Sequence, residues 1–387
     1  MNRYIYFDHS ATTPVLPEAV EEINRCFTAC YGNASEPHGP GREASAILEQ
    51  SRQIVADALG ASSREIVFTS GGTESDNLAI IGAAEACSKK GSHIIISDVE
   101  HPAVYMAAKK LARKGFSITG VGVDSLGMLD PDDIRKAVTD KTILVSVMHA
   151  NNIVGTIQPV GEIGRFLRER GIVFHTDAVQ SFCSIDTRAD QLNADLLSLS
   201  GHKFYGPKGV GALYIRKGTK VMPQLVGGGH EHGMRSSTEN IPGIAGLAKA
   251  AAMGQKDLEA KKRKISGLRD RIKDHILENI DEVRFNGHPE KRLPGNCNIS
   301  FSYIEGEAMV LRLDAAGIAV SSGSACSSSS MKPSHVLTAM GLSPEEAHGS
   351  LRITLGFENT QDEVDYFLDV LPGIISDLRR ISPLYKK

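Results

Sequence analysis

The feature that most constrains the fold is an alternation of short apolar runs with amphipathic segments between about residues 60 and 220. Between the runs, apolar residues recur at helical spacing, as in VGEIGRFLRERG, where Val160, Ile163 and Leu167 share one face. This alternation predicts an α/β fold with a mostly parallel seven-stranded sheet and right-handed crossovers. The predicted strands are residues 65–69, 93–97, 117–123, 142–148, 172–177, 195–200 and 210–215.

The connection between residues 200 and 210 is too short for a helical crossover. We therefore expect an antiparallel strand at the edge of this sheet.

A different pattern follows. One long charged helical stretch runs from residue 243 to about 280. Shorter elements come after it: strands at 298–303, 318–321 and 350–355, and helices at 307–316, from 334 and from 360. This α+β pattern predicts a smaller second domain. We expect a large domain over residues 14–257, and a small domain formed by residues 1–13 and 258–387.

Composition excludes several classes of protein. The hydrophobic fraction is 41%, the charged fraction 23% and the net charge −3, so no general attraction to nucleic acid or to an anionic membrane is expected. The first residues lack the apolar run of a signal peptide, and no run approaches ~18 apolar residues. A cytoplasmic location is the resulting expectation.

The six cysteines include no C-x-x-C pair, which argues against both a zinc site and a disulfide framework. Cys26 and Cys30 stand four apart in a helical stretch, and we expect both to be buried. Cys87, Cys183 and Cys297 are also interpreted as packing residues.

Three motifs are chemically suggestive, although each also has a structural interpretation. TSGGTESDN (69–77) can bind an anion at a helix N-terminus or can be a plain capped turn. Asp177 ends an apolar strand, where α/β proteins bind ligands, but it can also be an N-cap. Lys203 stands in SGHKFYGPKG, either as a nucleophilic lysine or as a lysine on an exposed hairpin loop.

Taken in order, a phosphate-type turn, a strand-end Asp and a strand-end Lys resemble fold-type I pyridoxal-phosphate (PLP) transferases. More specifically, the chain resembles cysteine desulfurases of the NifS/IscS type, in the class V aminotransferase family. The resemblance spans nearly the whole chain, through the blocks YFDHSATTP, YGNASEPHGPG, TSGGTESDNLAI, VEHPAV, ANNIVGTIQPV, HTDAVQ, SGHKFYGPKGVGALYIR, GGGHEHGMRSSTEN, SSGSACSSSS and SLRITLG.

The resemblance implies the roles of the cofactor-binding residues. Lys203 matches the Schiff-base lysine, Asp177 the partner of the pyridine nitrogen, and His101 the histidine that stacks on the ring. The remaining cofactor residues are the partner of the ring hydroxyl, Gln180, and the phosphate cradle, Gly72, Thr73, Ser200 and His202. Thr238 matches a threonine that reaches the phosphate of the neighbouring subunit, which implies a homodimer.

Substrate binding and catalysis follow from the same resemblance. Asn152, also counted among the cofactor contacts, and Arg352 match the pair that holds the substrate carboxylate, and a guanidinium suits that task. Cys326, in SSGSACSSSS, matches the catalytic cysteine, which joins Lys203 and His101 as a catalytic residue; alone it would be read as an exposed cysteine.

The implied activity is the removal of sulfur from L-cysteine, which gives L-alanine and a persulfide on Cys326. The persulfide sulfur would pass to an IscU-like scaffold or another acceptor for iron–sulfur clusters and other thio-cofactors. No permanent metal site is expected, although Cys326 could transiently touch a nascent cluster.

Two other kinds of function stay open. One is a selenocysteine lyase or another class V enzyme, and the other is a sulfur-carrier or scaffold-binding protein without turnover. The chain also departs from the family's usual residues, at His9, Ser10, Ile153, His232 and Ser237. None of these positions carries a catalytic role assigned above.

Overall fold

A computed structural model describes residues 4–323 and 333–385 of the chain. Its strands are β1 (Ile5–Tyr6), β2 (Ile66–Thr69), β3 (His93–Ser97), β4 (Ser117–Val121), β5 (Thr142–Ser146), β6 (Val173–Asp177), β7 (Leu196–Ser200), β8 (Gly211–Ile215), β9 (Val283–Asn286), β10 (Asn296–Phe301), β11 (Ile318–Ala319), β12 (Ser321–Ser322) and β13 (Ser350–Thr354).

Thirteen α-helices accompany these strands in the described part of the chain. They are α1 (Pro17–Thr28), α2 (Gly39–Leu59), α3 (Gly72–Cys87), α4 (Pro102–Ala112), α5 (Pro131–Ala137), α6 (Val160–Glu169), α7 (Ala189–Leu192), α8 (Ile241–Gln255), α9 (Leu258–Asn279), α10 (Gly306–Ala315), α11 (His335–Ala339), α12 (Pro344–His348) and α13 (Gln361–Ile381). Among the described residues, no helix is long and apolar enough to cross a membrane.

The central sheet has seven strands in the order β2-β8-β7-β6-β5-β3-β4, and its strands agree with the sequence prediction to within two residues at each end. Neighbours are parallel except at β8, which is antiparallel to both β7 and β2. The predicted edge position was wrong. The short connection does reverse β8, but β2 pairs with its far side and takes the edge, parallel to the remaining strands.

Strands of this sheet are covered on both faces. Leu197 packs in a core with Val55 of α2 and Leu247 of α8, whereas the adjacent Leu196 packs in a second core with Ile80 of α3 and Leu111 of α4. Successive side chains of a strand point to opposite faces, so near-continuous apolar strands require helices on both sides. The fold is the predicted α/β class.

A second sheet, in the order β12-β13-β10-β9, is antiparallel, and β1 pairs with β11 in a separate two-stranded sheet. The third core joins β10 and β13 to α9, α10 and α13.

The prediction of a single helical stretch from residue 243 was wrong, because Asp257 has a left-handed φ of 54° and separates α8 from α9. The domain boundaries stay a prediction.

Cysteine burial agrees largely with the sequence interpretation. Cys26, Cys30, Cys87 and Cys297 are buried and Cys183 is half-buried, all as free thiols.

Candidate active site

The residues predicted to bind the cofactor gather at one edge of the central sheet. They follow or end five parallel strands: Gly72 and Thr73 after β2, His101 after β3, Asn152 after β5, Asp177 at the end of β6, and Ser200, His202 and Lys203 at or after the end of β7. Since the carboxyl ends of parallel strands meet at one edge, this is where an α/β sheet binds ligands.

The turn between β2 and α3 is tightly packed. Gly71 has φ 150° and ψ −177°, a conformation essentially confined to glycine. A Cβ at Gly72 would lie 2.8 Å from Val179 Cγ2 and 3.5 Å from Ser200 Cβ. The main chain at the start of α3 therefore lies directly beside Ser200. The first N–H groups of a helix have no intrahelical partners, so this start suits a phosphate.

His202 lies near the same end of the site. Its Nδ1 lies 3.1 Å from Thr12 Oγ1. Burial, with the nearby charges of Lys203 and Lys208, lowers the pKa of His202 to about 4. The ring is therefore neutral at physiological pH and can present Nε2 to a second partner.

Asp177 and His101 interact electrostatically within the site. Asp177 is 5% exposed, and its Oδ1 accepts the Val179 N–H at 2.8 Å. Burial raises the pKa of Asp177, while the charges of His101 and Lys203 oppose that rise. A protonated ring nitrogen opposite the carboxylate would offset the cost of burying its charge.

His101 caps the helix that follows it. Its Nδ1 accepts the Ala103 N–H at 3.1 Å and so caps α4. Burial lowers the pKa of His101, and the charge of Asp177 opposes that shift. Because Nδ1 accepts the Ala103 N–H, the ring proton lies on Nε2.

Lys203 contacts the N-terminal segment of the chain. Its Nζ donates to the Ser10 carbonyl at 2.6 Å and to the Ala11 carbonyl at 2.8 Å. Gln180 Nε2 donates to the same Ser10 carbonyl at 2.9 Å. Lys203 and Gln180 also line a cleft, together with Cys183.

Arg352 and Asn152 lie together, as expected for a carboxylate-binding pair. Arg352 is 2% exposed, and its Nη1 donates to the Asn152 carbonyl at 3.2 Å. Its Nη2 donates to Asp8 Oδ1 at 2.9 Å. Its buried Nε has no partner among the described residues, so the guanidinium retains a donor for a further acceptor. Sequence reasoning missed the contact with Asp8.

Thr238 is not joined to this cluster by any described contact. Thr238 is exposed on the segment between β8 and α8. Cys326 lies outside the described residues.

Sequence reasoning also missed two buried carboxyl groups behind Asp177. Glu100 Oε1 accepts the Ser97 hydroxyl at 2.5 Å and the Met148 N–H at 2.7 Å, and burial raises its pKa to about 8. Burial also raises the pKa of Asp76, which lies 3.5 Å from His175 Nε2. The sequence gives one signal, a Glu directly before His101 in VEHPAV.

These groups suit PLP in both charge and kind. The site offers a helix start for the phosphate, a buried carboxylate for the ring nitrogen, an amine for the aldehyde and an imidazole beside the ring position. Within the described residues, no group of three or more His, Cys, Asp or Glu could hold a metal ion.

Comparisons with known proteins identify the family. A family model described as aminotransferase class-V matches residues 5–367. The cysteine desulfurase IscS of Dictyoglomus turgidum is 49% identical over 387 residues, covering 100% of this chain and 98% of that protein. The cysteine desulfurase IscS of Methanosarcina thermophila is 50% identical over 386 residues, covering 100% of this chain and 95% of that protein.

The chain belongs to the aminotransferase class-V family. A solved structure titled "NIFS-like protein" supports this at the level of the fold, with a TM-score of 0.91, 39% identity, and coverage of 97% of this chain and 100% of that one. The resemblance to NifS/IscS-type cysteine desulfurases and the fold-type I architecture are both confirmed. PLP is the cofactor of the chain, since the family is PLP-dependent.

Proposed function

We propose that this chain is a PLP-dependent cysteine desulfurase that converts L-cysteine to L-alanine and leaves the sulfur as a persulfide on Cys326. The observation that carries the proposal is the meeting of Lys203, Asp177 and His101 at the carboxyl edge of the sheet, next to the start of α3. A lysine on a surface hairpin would not share electrostatic contacts with a buried carboxyl and a half-buried imidazole.

The proposed roles follow from these contacts. Bound PLP supplies an electron-withdrawing ring conjugated to the substrate nitrogen. Asp177 holds the proton of the ring nitrogen, Lys203 takes the proton from the substrate Cα, and His101 covers the ring. Gly72, Thr73, Ser200 and His202 bind the phosphate, and Gln180 binds the ring hydroxyl.

Arg352 and Asn152 bind the substrate carboxylate. Because Asp8 already accepts from Nη2 of Arg352, the incoming carboxylate would share or replace that contact.

The sulfur step is assigned to Cys326 from the sequence. Its thiolate attacks the substrate sulfur, an S–S bond forms, and the Cβ–S bond breaks with its electron pair going to the carbon side. Protonation at carbon then completes L-alanine.

The test is Cys326→Ser in the PLP-loaded enzyme. We expect alanine and sulfide release to fall to background while the cofactor absorbance stays unchanged. Cys183→Ser is the matched control because Cys183 lines the cleft of Lys203, and it should retain activity. Normal turnover by Cys326→Ser would refute the proposal.

The second candidate activity is selenocysteine lyase, which would use the same contacts. Assays of L-cysteine and L-selenocysteine side by side, with no keto acid present, separate the two and also exclude transamination.

The oligomeric state, the cellular location and the sulfur acceptor are part of the same proposal. We propose a cytoplasmic homodimer, with Thr238 reaching the phosphate of the partner, and an IscU-like scaffold as the sulfur acceptor. The exposure of Thr238 in the single chain supports the shared site. Transfer of ³⁵S from labelled L-cysteine to a purified scaffold tests the acceptor.

A further inference from the structure

The segment Asp8–Thr13, called here the N-terminal turn, lies between β13 of the four-stranded sheet and the loop that carries Lys203. On one side the Ser10 N–H donates to Thr354 Oγ1 at 2.9 Å. On the other side the Thr13 N–H donates to the carbonyl of His202 at 2.9 Å, one residue before Lys203. The turn is therefore fixed at both ends.

A partly buried polar network reinforces this placement. His9 Nε2 lies 2.9 Å from Glu358 Oε1, and the Tyr205 hydroxyl donates to Glu358 Oε2 at 2.8 Å. The Tyr205 N–H in turn donates to Thr13 Oγ1 at 2.8 Å. The network ties the N-terminal turn to both the Lys203 loop and the end of β13. His9 is one of the positions at which the chain departs from the family's usual residues.

The turn presents two consecutive carbonyls to one amine. Lys203 Nζ lies 2.6 Å from the Ser10 oxygen and 2.8 Å from the Ala11 oxygen. A neutral primary amine has two N–H bonds and one lone pair. Two fixed acceptors would use both N–H bonds and thereby set the direction of the lone pair.

We propose that the Ser10 and Ala11 carbonyls form a docking site for the Lys203 amine after its release from the cofactor, and that they orient its lone pair. The inference rests on the proposed function, in which Lys203 carries the cofactor. His9, Thr354, Glu358 and Tyr205 act as positioning residues, since each acts through the turn.

Release of Lys203 is an imine exchange without oxidation or reduction. The incoming amino nitrogen forms a C=N bond to the aldehyde carbon, and the C=N bond to Nζ breaks. Two hydrogens pass from the incoming amine to Nζ, which leaves as a neutral –NH₂ group. The docking site receives this product and lowers its free energy, so it favours exchange.

The test uses the PLP-loaded enzyme and L-alanine, an amino acid that has no sulfur to lose. Displacement of Lys203 changes the cofactor absorbance and gives an apparent dissociation constant for L-alanine. Thr354→Val removes the acceptor of the Ser10 N–H, and we expect the constant to rise about fivefold through the loss of one buried hydrogen bond. Thr354→Ser keeps the hydroxyl and should restore the wild-type constant.

Thr142→Val is the matched control. Thr142 is buried, and its Oγ1 accepts the Thr139 N–H at 2.8 Å, the same kind of bond. It lies at the start of β5, on the opposite edge of the sheet from the site. This variant should leave the L-alanine constant unchanged.

Pyridoxamine 5′-phosphate separates docking from a general effect on pocket shape. It carries an amine in place of the aldehyde and cannot form an imine with Lys203. The Lys203 amine is therefore free of the cofactor both before and after pyridoxamine phosphate binds to the apoenzyme. Docking predicts that Thr354→Val leaves the pyridoxamine phosphate constant unchanged while weakening L-alanine. Equal losses for both ligands, or no loss for L-alanine, would overturn the inference.

Borohydride reduction of each PLP-loaded variant, followed by peptide mapping, shows which lysine holds the cofactor. Labelling at a lysine other than Lys203 would instead refute the proposed function. The two failures are thus distinguishable.

Discussion

Asp177 shares its buried surroundings with two other carboxyl groups, Asp76 and Glu100, and its charge adds to burial in raising the pKa of both. Three like charges in such surroundings would repel strongly. Burial raises the pKa of all three, but contacts with His101, the Val179 N–H and Lys203 lower that of Asp177. Asp177 is therefore the group best placed to ionise when a cationic ring faces it. Asp76 and Glu100 thus form part of the buried surroundings that determine the pKa of Asp177.

Glu100 gives a pH dependence with a definite sign. Its pKa is about 8 in the folded chain and near 4.5 in an unfolded one, so the folded state binds the extra proton between these values. The stabilising effect of that proton is full at low pH and is lost as pH rises toward 8, by about 1.4 kcal/mol per pH unit. Glu100→Gln, neutral at every pH, lacks this loss.

We therefore expect the free energy of unfolding of Glu100→Gln, relative to wild type, to increase from pH 5.5 to 7.5 in denaturant titrations. Glu21→Gln on the exposed face of α1 serves as the control and should follow the wild-type curve. Parallel curves for Glu100→Gln and wild type would show that Glu100 is ionised in the folded chain.

At this scale the sequence predicted where Asp177 and Lys203 lie, at the end of β6 and just after β7. Their roles came from the family resemblance, because position alone also fits an N-cap and an exposed lysine, and those roles stay predictions. The pairing of Asp8 with Arg352 was not predictable, because 344 residues separate them and their meeting depends on how β1 and β13 are placed. Glu100 was missed because nothing in the sequence shows that its surroundings exclude water.

Helix α3 is the element on which the phosphate end depends. Its first residue has so little space that a methyl group would meet Val179 and Ser200. Overpacking of this kind costs about 1–3 kcal/mol unless the neighbours move, and a shift of Ser200 or of the start of α3 would displace the proposed phosphate contacts.

Gly72→Ala should therefore weaken PLP binding by the apoenzyme roughly 10- to 100-fold, measured by equilibrium titration of cofactor absorbance. Gly39→Ala is a close control because Gly39 also begins a long helix, α2, and a Cβ there would meet nothing within 4 Å. Unchanged PLP affinity in Gly72→Ala would remove the start of α3 from the phosphate site.

Strand positions were predictable because apolar runs bounded by polar residues fix them locally. The pairing order was not, since the placement of β2 beside β8 joins segments more than 140 residues apart. The break between α8 and α9 was hidden because Lys256 and Asp257 are polar residues that an exposed helix tolerates.

At the scale of the whole molecule, a buried ion pair fixes the segment that carries Thr238. Arg52 and Glu231 are each 2% exposed in their side chains and form two hydrogen bonds, at 2.6 and 2.9 Å. Glu231 Oε2 also accepts the Phe68 N–H of β2 at 2.7 Å. The segment between β8 and α8 is therefore anchored to the central sheet in one chain, and it can present a fixed surface to a second.

A substitution at Val226 can test whether this surface is the dimer interface, because the side chain is 82% exposed. Val226 lies on the same segment as Thr238, next to Leu225, whose carbonyl accepts the Ser236 N–H. In the proposed dimer, Val226→Glu would bury an unpaired charge at a cost of about 3–5 kcal/mol. We expect the variant to sediment as a monomer under conditions where wild type is a dimer. It should also bind PLP more weakly, because Thr238 would no longer reach the phosphate bound in the partner subunit. Ile381→Glu, at a similarly exposed apolar position on α13, should stay dimeric. A dimeric Val226→Glu variant would place the interface elsewhere.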